Sequence, residues 1–144
     1  MRGLLLDTRL LKHLAPGEGG RNCSFRDFVC NSAQPIFLSI ILVVDIKARI
    51  QKVRSTRQEA RADALDAWLE GIVANYGDRI YPVDAEVAMC AGELMNRSRA
   101  FAARNFSDLL LAATARVHNH ALVTERKSDF VSMNSGIELW DPFD

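Results

Sequence analysis

Five short apolar runs spread along the chain most constrain its fold: "GLLL" (3–6), "IFLS" (36–39), "IYPV" (80–83), "ALVT" (121–124) and "IELW" (137–140). Each is nearly continuous in aliphatic residues rather than alternating with polar ones, the pattern of strands buried on both faces. The segments between them repeat apolar residues at helical spacing. Ile46, Ile50 and Val53 share one face, as do Ala64, Leu65, Trp68, Leu69 and Ile72. Val87, Ala88, Ala91, Leu94 and Met95 form a further stripe, followed by Leu110, Leu111, Thr114, Ala115 and Val117. Strands that alternate with helices need crossover connections, and crossovers make parallel sheets covered by helices on both sides. The expected class is α/β, a three-layer α/β/α sandwich around a central, mainly parallel sheet.

A chain of 144 residues suits a single domain, 1–144. Its 18 basic and 18 acidic residues cancel, so net charge points to no particular partner. The longest apolar run, "PIFLSIILVV" (35–44), is broken by Ser39 and falls far short of the roughly 20 residues that span a bilayer. The first residues lack the apolar core and small-residue cleavage site of a signal peptide, so the expected location is the cytoplasm, with no membrane contact. Cys23, Cys30 and Cys90 are odd in number and contain no CxxC pair, which argues against structural zinc and a disulfide framework. His118 and His120 lie two apart near a helix end and do not share a face, so they read as surface groups rather than ligands. "APGEGG" (15–20) reads as a loop, "NYGD" (75–78) as a helix end, and "WDPFD" (140–144) as a surface strand end stopped by Pro142.

Ligand sites of open parallel sheets form beyond the carboxyl ends of the strands. Asp7 stands at such an end in "LLLDTR". Asp45 follows the second strand in "IILVVDI" and, if Ser39 caps the next helix, lies near its second turn. Asp108 opens the helix "SDLLLAATARV", and Asp129 follows the fourth strand in "TERKSDF". All four therefore approach one edge of the sheet. Taken singly, Asp7 also reads as a cap, Asp108 as a first-turn acid favoured by the helix dipole, and Asp129 as loop polarity. Asp45 is harder to dismiss, because an acid among apolar neighbours is costly to bury unpaired. Converging carboxylates need a counter-cation, and an oxygen-only donor set suits Mg²⁺ or Mn²⁺.

The set "LLLDT", "LSIILVVDI", "SDLLLAATA" and "ALVTERKSDF", in this order across nearly the whole chain, resembles the PIN-domain ribonucleases, and among them the VapC-type toxins of bacterial toxin–antitoxin pairs. The resemblance implies a divalent-metal-dependent endoribonuclease, with Mg²⁺ or Mn²⁺ as cofactor and a VapB-type antitoxin as partner. It makes Asp7, Asp45 and Asp108 the catalytic acids and metal ligands. Asp129 would be a further ligand, with Thr8 and Thr124 as supporting hydroxyls. The implied products carry a 3′-hydroxyl and a 5′-phosphate. Three positions depart from the family pattern. Arg9 stands where an Asn is usual, Asp45 where a Glu is usual, and Arg126 where Asn or Asp is common. Two guanidiniums beside the acids could neutralise them in place of metal. The alternative is thus a catalytically weakened PIN-like module acting through antitoxin or RNA binding.

Between Lys47 and Arg61 there are six basic residues against Glu59 alone. This excess directly follows Asp45, and Lys47, Arg49, Lys52 and Arg54 are the expected RNA-binding residues, a solvated helix face being the simpler alternative. Trp68, with Leu65, Leu69 and Ile72, serves either the core or a two-fold surface, and a homodimer is expected. A receiver-like phosphotransfer domain also gathers acids at strand ends. It needs an acidic pair after the first strand and a Lys ending the fifth, neither of which is present.

Overall fold

The computed structural model describes residues 2–17, 22–97, 105–133 and 135–143. All five apolar runs form strands: β1 (Leu4–Leu6), β2 (Ile36–Ser39), β3 (Ile80–Tyr81), β4 (Ala121–Val123) and β5 (Leu139–Trp140). They build one sheet in the order β3-β2-β1-β4-β5, and every neighbouring pair is parallel. The helices between them are α1 (Asn22–Asn31), α2 (Ile41–Ser55), α3 (Glu59–Tyr76), α4 (Ala85–Arg97), α5 (Phe106–Val117) and the short α6 (Lys127–Val131). Two 3-10 helices, Thr8–Leu14 and Gly77–Arg79, complete the described elements.

Successive strand residues point to opposite faces, and the three leucines of β1 show the consequence. Leu4 and Leu6 enter a core with Leu10, Phe25, Leu42, Ile50 and Leu65, under α1, α2 and α3. Leu5 enters a second core with Val87, Leu94, Leu109 and Phe130, under α4 and α5. These two cores make the α/β/α sandwich, and each fully buried leucine contributes about 2 kcal/mol of apolar burial. Gly3 opens β1 because a Cβ there would lie 2.6 Å from the Phe37 ring and 2.9 Å from the Pro35 carbonyl oxygen. No other residue fits that approach without displacing the neighbouring strand.

The stripes of α3 and α4 are narrower than periodicity suggested, whereas α5 buries a wider face, with Asp108, Leu109 and every residue from Leu111 to Ala115. Ala64, Ala88 and Met95 are exposed, whereas Ala62 is buried with Leu65, Leu69 and Ile72. Adjacent helix residues are about 100° apart, so Ala64 cannot follow Leu65 into a core reached from one side. Nor are both histidines surface groups: His120 is buried, and His118, Tyr81 and Phe37 stack around it at the N-terminal end of β4. Phe143 packs against His13 and Phe25, so the C-terminal segment folds onto the first core instead of ending as a surface strand. Residues 18–20 of the expected loop and residue 144 of the tail lie outside the described residues.

Candidate functional site

The carboxyl ends of β1 and β4 are held in register one residue beyond the strands. The Asp7 N–H donates to the Val123 carbonyl at 2.9 Å, and the Thr124 N–H to the Trp140 carbonyl at 2.8 Å. These bonds fix two side chains against each other. Thr124 Oγ1 donates to Asp7 Oδ2 at 2.7 Å and accepts the Arg126 N–H at 2.9 Å. Asp7 also accepts the Arg9 N–H at 3.2 Å, so it caps the 3-10 helix while its carboxylate faces the crevice. Asp7 is thus a cap residue placed at the carboxyl end of a strand.

Arg126 lies at the centre of the cluster. Its guanidinium donates twice to Asp108, from Nη1 at 2.8 Å and Nη2 at 2.9 Å, and to Asp7 from Nη2 at 2.9 and 3.1 Å and from Nε at 3.2 Å. Nη1 also stands 3.5 Å from Asp129 Oδ2, and the guanidinium carbon lies 5.3 Å from the centroid of the Phe130 ring. Asp7 is 1% exposed and Asp108 8% exposed, so these are charge-assisted bonds in a nearly dry site. Burial opposes the charge on Arg126, but hydrogen bonds and charge from Asp108 and Asp7 outweigh it and raise its pKa above the usual arginine value. The guanidinium stays charged at any physiological pH.

Asp45 is placed differently. It lies in the second turn of α2, where Ser39 Oγ accepts the Ile41 N–H at the helix entry and Thr8 Oγ1 donates to Asp45 Oδ2 at 3.0 Å. Burial pushes its carboxyl above the usual range; the Thr8 bond and Arg9 oppose this, and the negative charges of Asp108 and Asp7 add to it.

Thus the fold brings Asp7, Asp45, Asp108 and Asp129 to one edge, with Thr8 and Thr124 bonded to two of them. In kind, these oxygens suit a hard divalent ion. As arranged they do not fit one: the oxygens of Asp7 and Asp108 that would share the ion are both taken by Arg126. Among the described residues, no group of three or more His, Cys, Asp or Glu side chains is set to hold a metal.

A cleft of about 500 Å³ opens beside the acids, with Asp45 and Asp108 on its wall. Arg9, Lys12 and Arg49 supply positive charge along it, and Trp68 and Phe106 supply aromatic surface. Phe106 is 55% exposed. Trp68, which the sequence assigned to the core or to a two-fold surface, packs on the core and lines this cleft as well. The basic run divides in two. Lys47 pairs with Asp66 at 2.6 Å, and Arg54 bridges Glu59, Asp63 and Asp66 of α3, whereas Arg49 faces the cleft and Lys52 is exposed. Periodicity missed Lys12 and Phe106 as cleft residues, because neither belongs to an acidic motif. One further pair escaped the sequence: His13 Nε2 lies 2.9 Å from Glu125 Oε1, where the residue after Thr124 meets the 3-10 helix. No helix among the described residues is long and apolar enough to cross a membrane.

The PIN domain family matches residues 5–133 of the chain. No curated protein matches the sequence. Solved structures do: the crystal structure of FitAcB from Neisseria gonorrhoeae is similar at 22% identity, covering 97% of this chain and 98% of that one, with a TM-score of 0.73. The DNA-bound VapBC of Salmonella typhimurium is similar at 20% identity over 99% of both chains, TM-score 0.67. VapBC-1 from nontypeable Haemophilus influenzae is similar at 14% identity over 98% of both chains, TM-score 0.69. At these identities the neighbours show a shared fold. The match over residues 5–133, the parallel sheet and the four acids at its carboxyl edge lead to one conclusion: the chain belongs to the PIN domain family.

Proposed function

We propose that this protein is the toxin of a VapBC-type toxin–antitoxin pair, an endoribonuclease that depends on Mg²⁺ or Mn²⁺. One observation carries the reading. Asp45 and Asp108 line a cleft whose other lining residues, Arg9, Lys12, Arg49, Trp68 and Phe106, suit an RNA strand, and Arg126 ties Asp108 to Asp7 just behind its wall. Cations there hold phosphates, and exposed rings accept unpaired bases by stacking. Structural neighbours described as VapBC and FitAB assemblies support an antitoxin, which we take to be VapB-type, as the partner; a homodimer and a cytoplasmic location belong to the same proposal.

The roles follow from the contacts. Asp7, Asp45 and Asp108 are the acids of the reaction centre, with Asp129 at its margin. Thr124 and Thr8 orient Asp7 and Asp45 by donating to one oxygen of each. Arg49, which faces the cleft, carries the backbone of the strand toward them, with exposed Lys52 adding charge and with Lys47 and Arg54, paired to acids of α3, contributing less. Purified protein incubated with single-stranded RNA and Mn²⁺ should cut it, and Asp108→Asn should not. Equal cutting by the two proteins would sink the site assignment.

A second reading has a specific observation behind it. With Asp7 and Asp108 bound to Arg126, the protein is also arranged as a module that binds RNA or antitoxin without cleaving. RNA retention in the cleft with no cutting at any Mn²⁺ concentration would select it.

A further inference from the structure

We infer that Arg126 is an intramolecular substitute for the divalent ion: its guanidinium and a metal compete for the same oxygens of Asp7 and Asp108, so a metal enters only when Arg126 leaves. This inference rests on the metal-dependent reading above and adds a control built into the chain itself.

The geometry leaves little room for sharing. Arg126 donates to both oxygens of Asp108 and to both oxygens of Asp7, with five contacts between 2.8 and 3.2 Å. Asp7 and Asp108 are the residues that would hold an ion, and their oxygens are already engaged by the guanidinium. Keeping both would set a divalent and a monovalent cation side by side in a nearly dry site, where their repulsion is weakly screened. One must therefore displace the other.

Arg126 is also built to stay. Its own N–H is anchored on Thr124 Oγ1, the hydroxyl that orients Asp7, so backbone and side chain converge on one carboxylate. Phe130 lies across the guanidinium, and Asp129 adds charge at 3.5 Å. Space lies beside it too. A cavity of about 220 Å³ lined by Asp7, Arg9, Leu10, Lys12, Glu125 and Arg126 adjoins the side chain. Its walls carry Arg9 and Lys12, so leaving the acids takes Arg126 toward like charge.

The test is calorimetric titration of Mn²⁺ into wild type, Arg126→Gln and Arg126→Lys, beside thermal unfolding of each with Mn²⁺ or EDTA. Losing even one charge-assisted hydrogen bond is worth roughly tenfold in an equilibrium constant. Arg126→Gln should therefore bind Mn²⁺ at least about tenfold more tightly than wild type. Arg126→Lys should fall between them, because an ammonium keeps the charge but lacks the planar fork. In EDTA, Arg126→Gln should unfold at a lower temperature than wild type, and Mn²⁺ should restore it while NaCl of equal ionic strength should not. Equal Mn²⁺ affinity in all three proteins overturns the competition and leaves the metal site standing. Folded Arg126→Gln that binds no Mn²⁺ overturns the metal-dependent reading, and the competition with it. If Arg126→Gln unfolds and Mn²⁺ fails to refold it, an Arg126→Lys protein that binds no more tightly than wild type refutes the inference.

Discussion

Asp7→Asn should destabilise this protein, and the sign of the effect is the point. Removing one acid from a cluster of unneutralised carboxylates relieves repulsion and stabilises a fold. Here Asp7 is 1% exposed and bound to Arg126, Thr124 and the Arg9 N–H. Asparagine keeps one acceptor for Thr124 or Arg9, but its NH₂ group turns donors toward a guanidinium that is itself only donors. Removing one partner of a buried ion pair costs about 3–5 kcal/mol. Arg126 is 16% exposed and retains Asp108, so the lower end applies, about 3 kcal/mol. For a chain of this size that lowers the unfolding midpoint by roughly 10 °C. Urea and thermal unfolding in EDTA, followed by circular dichroism, measure it. A double-mutant cycle with Arg126→Gln should give a coupling of at least about 1 kcal/mol. An Asp7→Asn protein as stable as wild type, or additive effects in the cycle, would refute the claim that Arg126 neutralises this acid.

Asp45→Asn should do the opposite in EDTA. Burial and the charges of Asp108 and Asp7 hold the folded pKa of Asp45 above its ordinary 3.8, so its ionised form costs stability at neutral pH and the cost disappears as pH falls toward that value. The variant should melt slightly higher than wild type at pH 7 and no higher in acid; a lower midpoint at pH 7 counts against the assignment. His120 gives a second pH effect. Its Nδ1 accepts the Gly3 N–H at 3.0 Å, so its Nε2–H donates to the Tyr81 oxygen at 2.6 Å. Burial first, with His118 and Arg2 adding to it, lowers its pKa from 6.5, so stability present above that value is lost as pH falls through the lowered pKa. Unfolding midpoints at pH 7.5 and 5 should diverge in wild type and less in His120→Gln, and parallel profiles would argue otherwise. For RNA binding, Arg49→Ala should weaken affinity and shallow the salt slope by about one unit, whereas Arg54→Ala, already committed to three α3 acids, should do less. Fluorescence anisotropy across a salt series compares them, and equal losses would remove the distinction.

By itself the sequence determined the fold class. Short aliphatic runs separated by helical stripes suit strands buried on both faces and joined by parallel crossovers, although aliphatic runs such as Ile41–Val44 and Leu109–Leu111 lie in helices. It also showed which acids end strands or open helices at one edge, because position along a strand is set by the local pattern. The helical residues Ala64, Ala88 and Met95 were less legible, since a periodic stripe does not reveal how wide a face the neighbouring layer covers. The 3-10 helix after Asp7 and the burial of His120 and Phe143 were not visible at all, because both depend on partners more than 100 positions away, such as Gly3 for His120 and His13 for Phe143. Only the tertiary structure decided what Arg126 does. From the chain it is, like Arg9, a guanidinium that could neutralise the acids, with nothing to say which of the two does so or on which carboxylates. In the fold, the pairing of β1 with β4 sets it between Asp7 and Asp108, 119 and 18 residues away. A guanidinium acts on whatever oxygens lie within hydrogen-bonding reach, and reach across a parallel sheet is settled by strand order and register, which no local run of residues encodes.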